Sequence, residues 1–238
     1  MMKVAINGFG RIGRLVLRAL YESKKKYNFD IVAINDIQEI DTAIHLLKYD
    51  SVHGPFRDKV QKISEKEFRI NQSRIIYVSE KFPERLPWKD LGVDLVMECT
   101  GMFKIRDLYG RHIKAGAKKV LLSFPADDSD KTVVYGVNHY SIDNEKDIFV
   151  SNASCTTNCL AHLIKILHWK VGIQNGFMTT IHSYTGDQRL IDTNHSDLRR
   201  SRAAAMCMVP TSSGATNTIG KIFPELEGKL SGLSIRVP

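Results

Sequence analysis

The stretch Lys3-Val4-Ala5-Ile6-Asn7-Gly8-Phe9-Gly10-Arg11-Ile12-Gly13 decides the fold. Its small and β-branched apolar residues predict a strand over 3–7, which breaks at once into the spacing G-x-G-x-x-G. Gly8 permits a tight turn, Gly10 lets the backbone approach a pyrophosphate, and Gly13 lets the next helix press against the strand. That helix is expected to carry Ile12, Leu15, Val16, Ala19 and Leu20 on one apolar face. Its N-terminus would offer unpaired N–H groups and the positive end of a dipole to phosphates.

A lone glycine motif is weak, because glycine turns are common. Here a second strand, 31–35, ends at Asp36, at the interval where an acidic side chain accepts hydrogen bonds from an adenosine ribose. A carboxylate there would repel a 2′-phosphate, so NAD is expected ahead of NADP. The alternative reading of Asp36 is a strand end or a cap for a short helix over 40–49.

The pattern continues outward as alternating strand and helix, that of an α/β domain with a parallel sheet. Two or three β-rich runs between 59 and 78 suggest an antiparallel insertion. Strands are expected at 95–99, 119–123, 132–137 and 148–152, with a helix over 103–115 closed by Gly116. The character changes after Ser151. Ser154 is a candidate N-cap for a helix over 155–169, followed by a strand at 176–184 and a polar loop over 185–202. A boundary near Asn152 gives a nucleotide-binding domain at 1–152 and a second domain at 153–238. The apolar run 233–237 starts a strand whose partners are expected to be missing, since the chain stops at Pro238; the C-terminal part of the second domain is thus expected to be absent.

Composition narrows the class. Hydrophobic residues at 43% and charged residues at 25% are ordinary for a globular protein, and no apolar run is long enough to span a bilayer. Met1-Met2-Lys3 leads straight into the first strand without a signal or transit pattern, so a cytoplasmic protein is expected. The net charge of +8 suits anionic substrates. Cys99, Cys155, Cys159 and Cys207 form neither a disulfide framework nor a C-x-x-C pair, so no metal site is expected.

Ser151-Asn152-Ala153-Ser154-Cys155-Thr156-Thr157-Asn158-Cys159 is the most chemical stretch. Cys155 stands where a helix would begin, and the helix end stabilises a thiolate and could hold an oxyanion. Cys159, one turn on, is expected to point into helix packing. Spacing alone leaves Cys155 either inert or nucleophilic. A nucleophile needs a base, and His182, within Thr179-Thr180-Ile181-His182-Ser183-Tyr184, stands near a strand end; it could equally be a core histidine.

These segments resemble the active-site segments of glyceraldehyde-3-phosphate dehydrogenases. The resemblance extends through Asp187-Gln188, Asp197-Leu198-Arg199-Arg200-Ser201-Arg202, Val209-Pro210-Thr211-Ser212-Ser213-Gly214, Pro224-Glu225-Leu226 and Arg236-Val237-Pro238. It implies a Rossmann domain, then an α+β catalytic domain with a mixed sheet, in a homotetramer when full length. It implies Cys155 as nucleophile and His182 as base. Ser154, Thr156, Thr185, Arg200, Ser213, Gly214 and Arg236 would hold the substrate phosphate and inorganic phosphate, which suits hydroxyls and arginine forks. Asn7, Gly8, Gly10, Arg11, Ile12, Asp36, Lys81 and Ser123 would hold NAD.

Two departures stand out. Ser213 occupies a usual threonine position and keeps the hydroxyl. Thr193-Asn194 replaces a segment that carries proline before His195 in strictly NAD-dependent members, which leaves NADP possible. Two rivals remain. Ala19-Leu20-Tyr21-Glu22-Ser23 is similar to erythrose-4-phosphate dehydrogenases, although Tyr184-Thr185-Gly186-Asp187 keeps the phosphate-binding hydroxyls. The basic charge suggests a nucleic-acid- or partner-binding protein on the same fold, but no aromatic-interleaved basic patch supports it, and nucleic acid is not expected as the primary partner.

Overall fold

A computed structural model describes residues Met1–Pro238, which divide into two compact units. The first comprises Met1–Thr132 and Ser141–Asn152, and the second Val133–Tyr140 and Ala153–Pro238.

In chain order the first unit holds β1 (Met2–Asn7), α1 (Arg11–Glu22), β2 (Phe29–Asn35), α2 (Ile40–Lys48), β3 (Tyr49–Asp50) and β4 (Gly54–Pro55). Then come β5 (Val60–Ser64), β6 (Glu67–Ile70), β7 (Ser73–Val78), α3 (Trp88–Leu91), β8 (Leu95–Glu98), α4 (Arg106–Tyr109) and α5 (Arg111–Lys114). It closes with β9 (Lys119–Leu122), β10 (Lys131–Thr132) and β11 (Phe149–Ser151). The main sheet runs β10-β11-β9-β8-β1-β2-β7-β6-β5. Neighbours from β10 to β7 pair parallel, and β5, β6 and β7 pair antiparallel. Strand order reverses at β1, the switch point at which open α/β sheets bind ligands.

Successive side chains of β1 serve opposite faces. Val4 and Ile6 join Leu17 of α1 and Ala43 and Leu47 of α2, while Ala5 joins Ala33, Trp88, Val96 and Ala117. With both faces covered, β1 is apolar throughout, as in parallel sheets generally.

Several expectations need correcting. The buried positions of α1 are Gly13, Leu17 and Arg18, with Leu20 and Tyr21 packed beside them; Ile12 and Ala19 are exposed. Apolar residues surround this helix on most sides, so periodicity could not choose the inner face. The runs at 59–78 do pair antiparallel, as β5, β6 and β7, but they extend the main sheet rather than insert into it, because β7 pairs parallel with β2. The helix over 103–115 is two short helices meeting at Gly110. The strand over 132–137 ends at Thr132, and Val134 and Val137 instead enter the second unit's core.

The second unit holds α6 (Cys155–Val171), β12 (Gly176–Ser183), β13 (Val209–Ser212), α7 (Ala215–Ile222) and β14 (Leu230–Val237). Its core joins Ala161 and Ile164 of α6 to Ile219 and Ile222 of α7, with Phe223 and Leu226. The mixed sheet runs β12-β14-β13. The last strand is therefore not unpaired: β14 runs parallel to β12 from Gly176↔Leu230 to Ser183↔Val237 and antiparallel to β13. Cys159 is exposed rather than packed. It follows Cys155 by four residues, so the two share a helix face. No helix is long and apolar enough to cross a membrane.

Candidate active site

The glycine loop follows from the end of β1. Gly8 has φ of 90°, and a Cβ there would lie 2.7 Å from the Thr100 amide nitrogen. A Cβ on Gly13 would lie 2.2 Å from Gly8 O, so this glycine lets α1 approach the turn. Gly10 differs, since a Cβ there would meet no protein atom within 4 Å. Gly8 and Gly13 serve the fold, and Gly10 keeps space open beside a helix start. Gly10 caps α1 with no side-chain hydrogen bond, and the first turn holds no acidic residue, which leaves donors for an anion.

That space is a cavity of about 530 Å³ lined by Asn7, Gly8, Gly10, Asp36, Lys81 and Thr100 among others. Asp36 is fixed at its rim: Oδ2 accepts from Phe9 N at 2.5 Å and Oδ1 from Gln38 N at 3.0 Å. An open helix end, a fixed carboxylate and a lysine fit a dinucleotide. Three expected residues lie outside this lining. Arg11 pairs with Asp50 at 2.6 Å, Ile12 is exposed on α1, and Ser123 donates its backbone N–H to Glu98 O. The lining also includes Asn35, Cys99, Met102 and Phe103, which sequence reasoning missed. Their signal was positional, as Asn35 ends β2 and the other three follow the carboxyl end of β8, level with the glycine loop. Burial pushes the Cys99 thiol up to about 12, so it stays protonated.

In the second unit, Ser154 caps α6 through Oγ, which accepts from Thr157 N at 3.0 Å. Asn158 N makes the first helical bond, to Ser154 O. The amides of Cys155 and Thr156 precede it, in the turn whose donors no helical carbonyl can satisfy. Ala153, just before the cap, holds φ of 56°, a conformation that costs a non-glycine residue roughly 1–2 kcal/mol. Local strain thus stands next to the cysteine.

Cys155 Sγ lies 3.3 Å from His182 Nε2. His182 is the second-last residue of β12, and the sheet register sets it beside Arg236 of β14. Two contacts meet at His182 Nδ1, Ser183 O at 2.6 Å and Arg236 Nη1 at 3.0 Å. They require opposite tautomers. A carbonyl oxygen only accepts, and the shorter contact places the proton on Nδ1, which leaves the Nε2 lone pair facing the sulfur. Arg236 Nη1 also reaches Ser183 O at 3.4 Å. Burial and then the nearby Arg200 charge hold the Arg236 guanidinium below its ordinary value, and its Nε is buried without a partner.

Arg200 is held in place. Nε and Nη2 donate to Thr211 Oγ1 at 3.1 and 2.8 Å, and Nη1 donates to Asp187. Burial would raise the Asp187 carboxyl, but the Arg200 bond and charge, with His195, hold it below the usual range. In the sequence Asp187 and Thr211 stand out only as members of the matching segments, and pairing across the fold gives them this part. Ser213 Oγ accepts from Ala215 N, Gly214 caps α7, Thr185 N donates to Gln188, and Thr156 sits half-buried in the first turn of α6. No group of three or more His, Cys, Asp or Glu side chains is placed to hold a metal ion.

A sheet with a dinucleotide cavity in one unit and a paired cysteine and histidine in the other define the class of a nucleotide-dependent dehydrogenase with a thiol at its site. Residues 2–106 match the family described as "Glyceraldehyde 3-phosphate dehydrogenase, NAD binding domain", and residues 154–238 match the corresponding C-terminal domain. The chain is 55% identical over 237 residues to glyceraldehyde-3-phosphate dehydrogenase of Xanthobacter flavus, 53% over 238 to the plasmid-borne enzyme of that name from Cupriavidus necator, and 49% over 237 to that of Geobacillus stearothermophilus. Each alignment covers 100% of this chain and 70% of the relative. The chain belongs to the glyceraldehyde-3-phosphate dehydrogenase family. These relatives do not favour the erythrose-4-phosphate reading.

Proposed function

We propose that this chain oxidises glyceraldehyde 3-phosphate with inorganic phosphate to an acyl phosphate, with Cys155 as nucleophile and His182 as base. The observation that carries the reading is the 3.3 Å contact between Cys155 Sγ and His182 Nε2. His182 takes the thiol proton, the thiolate adds to the aldehyde carbon, and the imidazolium returns that proton to the aldehyde oxygen to give a thiohemiacetal. The first-turn amides of Cys155 and Thr156 stabilise the oxygen as it gains charge. His182 then accepts the hydroxyl proton as hydride leaves that carbon, and a thioester remains on Cys155. Bound NAD supplies the hydride acceptor. A phosphate oxygen attacks the thioester carbon, the carbon–sulfur bond breaks, and Cys155 departs as thiolate.

Arg200 and Arg236 supply the positive charge for the two phosphates, with hydroxyls from Ser154, Thr156, Thr185 and Ser213 and the Gly214 backbone. Asn7, Gly8, Gly10, Asp36 and Lys81, which line the cavity, form the cofactor set with Arg11, Ile12 and Ser123, which lie outside its lining. The carboxylate of Asp36, fixed by Phe9 N and Gln38 N, favours NAD over NADP, whose 2′-phosphate would meet its charge. The full-length protein works in the cytoplasm as a homotetramer, an assembly that light scattering tests. The functional test is NADH formation from glyceraldehyde 3-phosphate with and without phosphate, with erythrose 4-phosphate and NADP as comparisons. Strong dependence on phosphate supports the reading; equal rates with water alone contradict it.

A further inference from the structure

Beneath the glycine loop lies a polar cluster that the proposed chemistry does not use. Glu98, the last residue of β8, and His112 of α5 are both fully buried, as is Trp88 of α3. Trp88 Nε1 donates to His112 Nδ1 at 3.0 Å. An indole N–H only donates, so Nδ1 accepts, and the ring proton sits on Nε2. Nε2 then donates to Glu98 Oε2 at 2.9 Å. Asn7 Nδ2 reaches the same oxygen at 2.5 Å. The other oxygen, Oε1, accepts from Thr100 N at 2.8 Å and from the Thr100 hydroxyl. Four donors thus converge on one buried carboxylate, each oxygen taking two.

Three of the four donors, from Asn7 and Thr100, lead toward the dinucleotide cavity. Asn7 precedes Gly8 and accepts from Asn35 Nδ2 at 2.7 Å, which ties in the end of β2. Thr100 N and Cγ2 are the atoms that fill the place of the missing Gly8 Cβ, at 2.7 and 2.8 Å. Thr100 Oγ1 accepts in turn from Met102 N, and Asn7, Thr100 and Met102 all line the cavity. Three strand ends and the loop after β8 are therefore oriented by one carboxylate, and Trp88 and His112 fix its direction.

We propose that Glu98 is a positioning residue for the dinucleotide site and that His112 is its tautomer-locked support. The proposal rests on the reading that the glycine-loop cavity binds NAD. Glu98→Gln keeps the shape but replaces one oxygen, the acceptor of two of the four bonds, with a donor, so both of those bonds are lost and only the Thr100 hydroxyl can turn to accept in their place. His112→Gln keeps one donor and one acceptor, whereas His112→Leu removes both.

The test is calorimetric NAD binding to the full chain, alongside the rate at which iodoacetamide alkylates Cys155 without nucleotide. Glu98→Gln is expected to weaken NAD binding about tenfold, the scale of one hydrogen bond to a charged group. Alkylation of Cys155 is expected to stay at the unsubstituted rate. His112→Gln should bind better than His112→Leu. If Glu98→Gln does not fold, Thr100→Val, which removes the hydroxyl that donates to Glu98 and accepts from Met102 N, gives the same reading against Thr100→Ser. Unchanged NAD affinity in Glu98→Gln or Thr100→Val overturns the proposal. Equal affinities in the two His112 variants overturn the tautomer role. Absence of NAD binding by the unsubstituted chain overturns the cavity reading instead.

Discussion

Cys155 Sγ and His182 Nε2 stand 3.3 Å apart, one at the first residue of α6 and the other at the second-last of β12. The carbonyl of Ser183 holds the far side of the ring at 2.6 Å, which aims the free lone pair at sulfur. His182→Asn removes the base and keeps the cysteine. Its turnover is expected to fall by about 10²–10⁴, the usual worth of a positioned base. Alkylation of Cys155 near neutral pH should slow with it. A variant with unchanged alkylation and turnover would remove His182 from the chemistry.

The glycines of the first loop separate fold from ligand. Gly8→Ala puts a Cβ on the Thr100 backbone at a positive φ, so stability should fall by about 1–3 kcal/mol, read by urea unfolding. Gly10→Ala meets no protein atom, so its unfolding midpoint should hold while NAD binding is lost. Should Gly10→Ala bind NAD normally, the pyrophosphate does not pass over that residue.

Much of this was legible because some constraints are local. The spacing of Gly8, Gly10 and Gly13 fixes a turn and a helix start within a few residues, and Ser154 announces the cap it forms. Pairing between distant strands was not legible. Nothing near residue 233 shows that β14 lies between β12 and β13, and nothing near residue 59 shows that β7 joins β2. Helix faces failed where apolar residues surround the helix, as at Ile12, and where a site leaves a face open, as at Cys159. The residues left Cys155 and His182 as candidates and the resemblance implied the pair; its geometry needed β12 to end beside α6. Asp187, Thr211 and Glu98 escaped because their parts depend on partners far along the chain.

Ser154→Ala removes the Oγ that accepts from Thr157 N, and such a loss costs about 1 kcal/mol. A lower thermal midpoint is expected, with Ser154→Thr close to the original. An unchanged midpoint in Ser154→Ala would mean that the cap contributes nothing to α6.

Acid should loosen two loops. The Arg199 side chain and backbone hold the Asp197 carboxyl at about 2, and the N–H groups of His53 and Val52, with Arg11, hold Asp50 at about 2. Both folded values lie below the unfolded value of about 3.9, so the stabilisation is complete above that pH and is lost as pH falls toward 2. Thermal midpoints are expected to be insensitive to these groups from pH 7 to 5 and to drop between pH 4 and 2. Asp197→Asn should make that drop shallower. An equally steep drop in this variant would assign the acid response to other carboxylates.

The most direct measurement is the intact mass of the protein mixed with glyceraldehyde 3-phosphate and NAD in the absence of phosphate. The predicted result is one acyl group per chain, located on the peptide carrying Cys155, removed on adding phosphate and absent in Cys155→Ser. An acyl group on another residue, or normal NADH formation by Cys155→Ser, would contradict it.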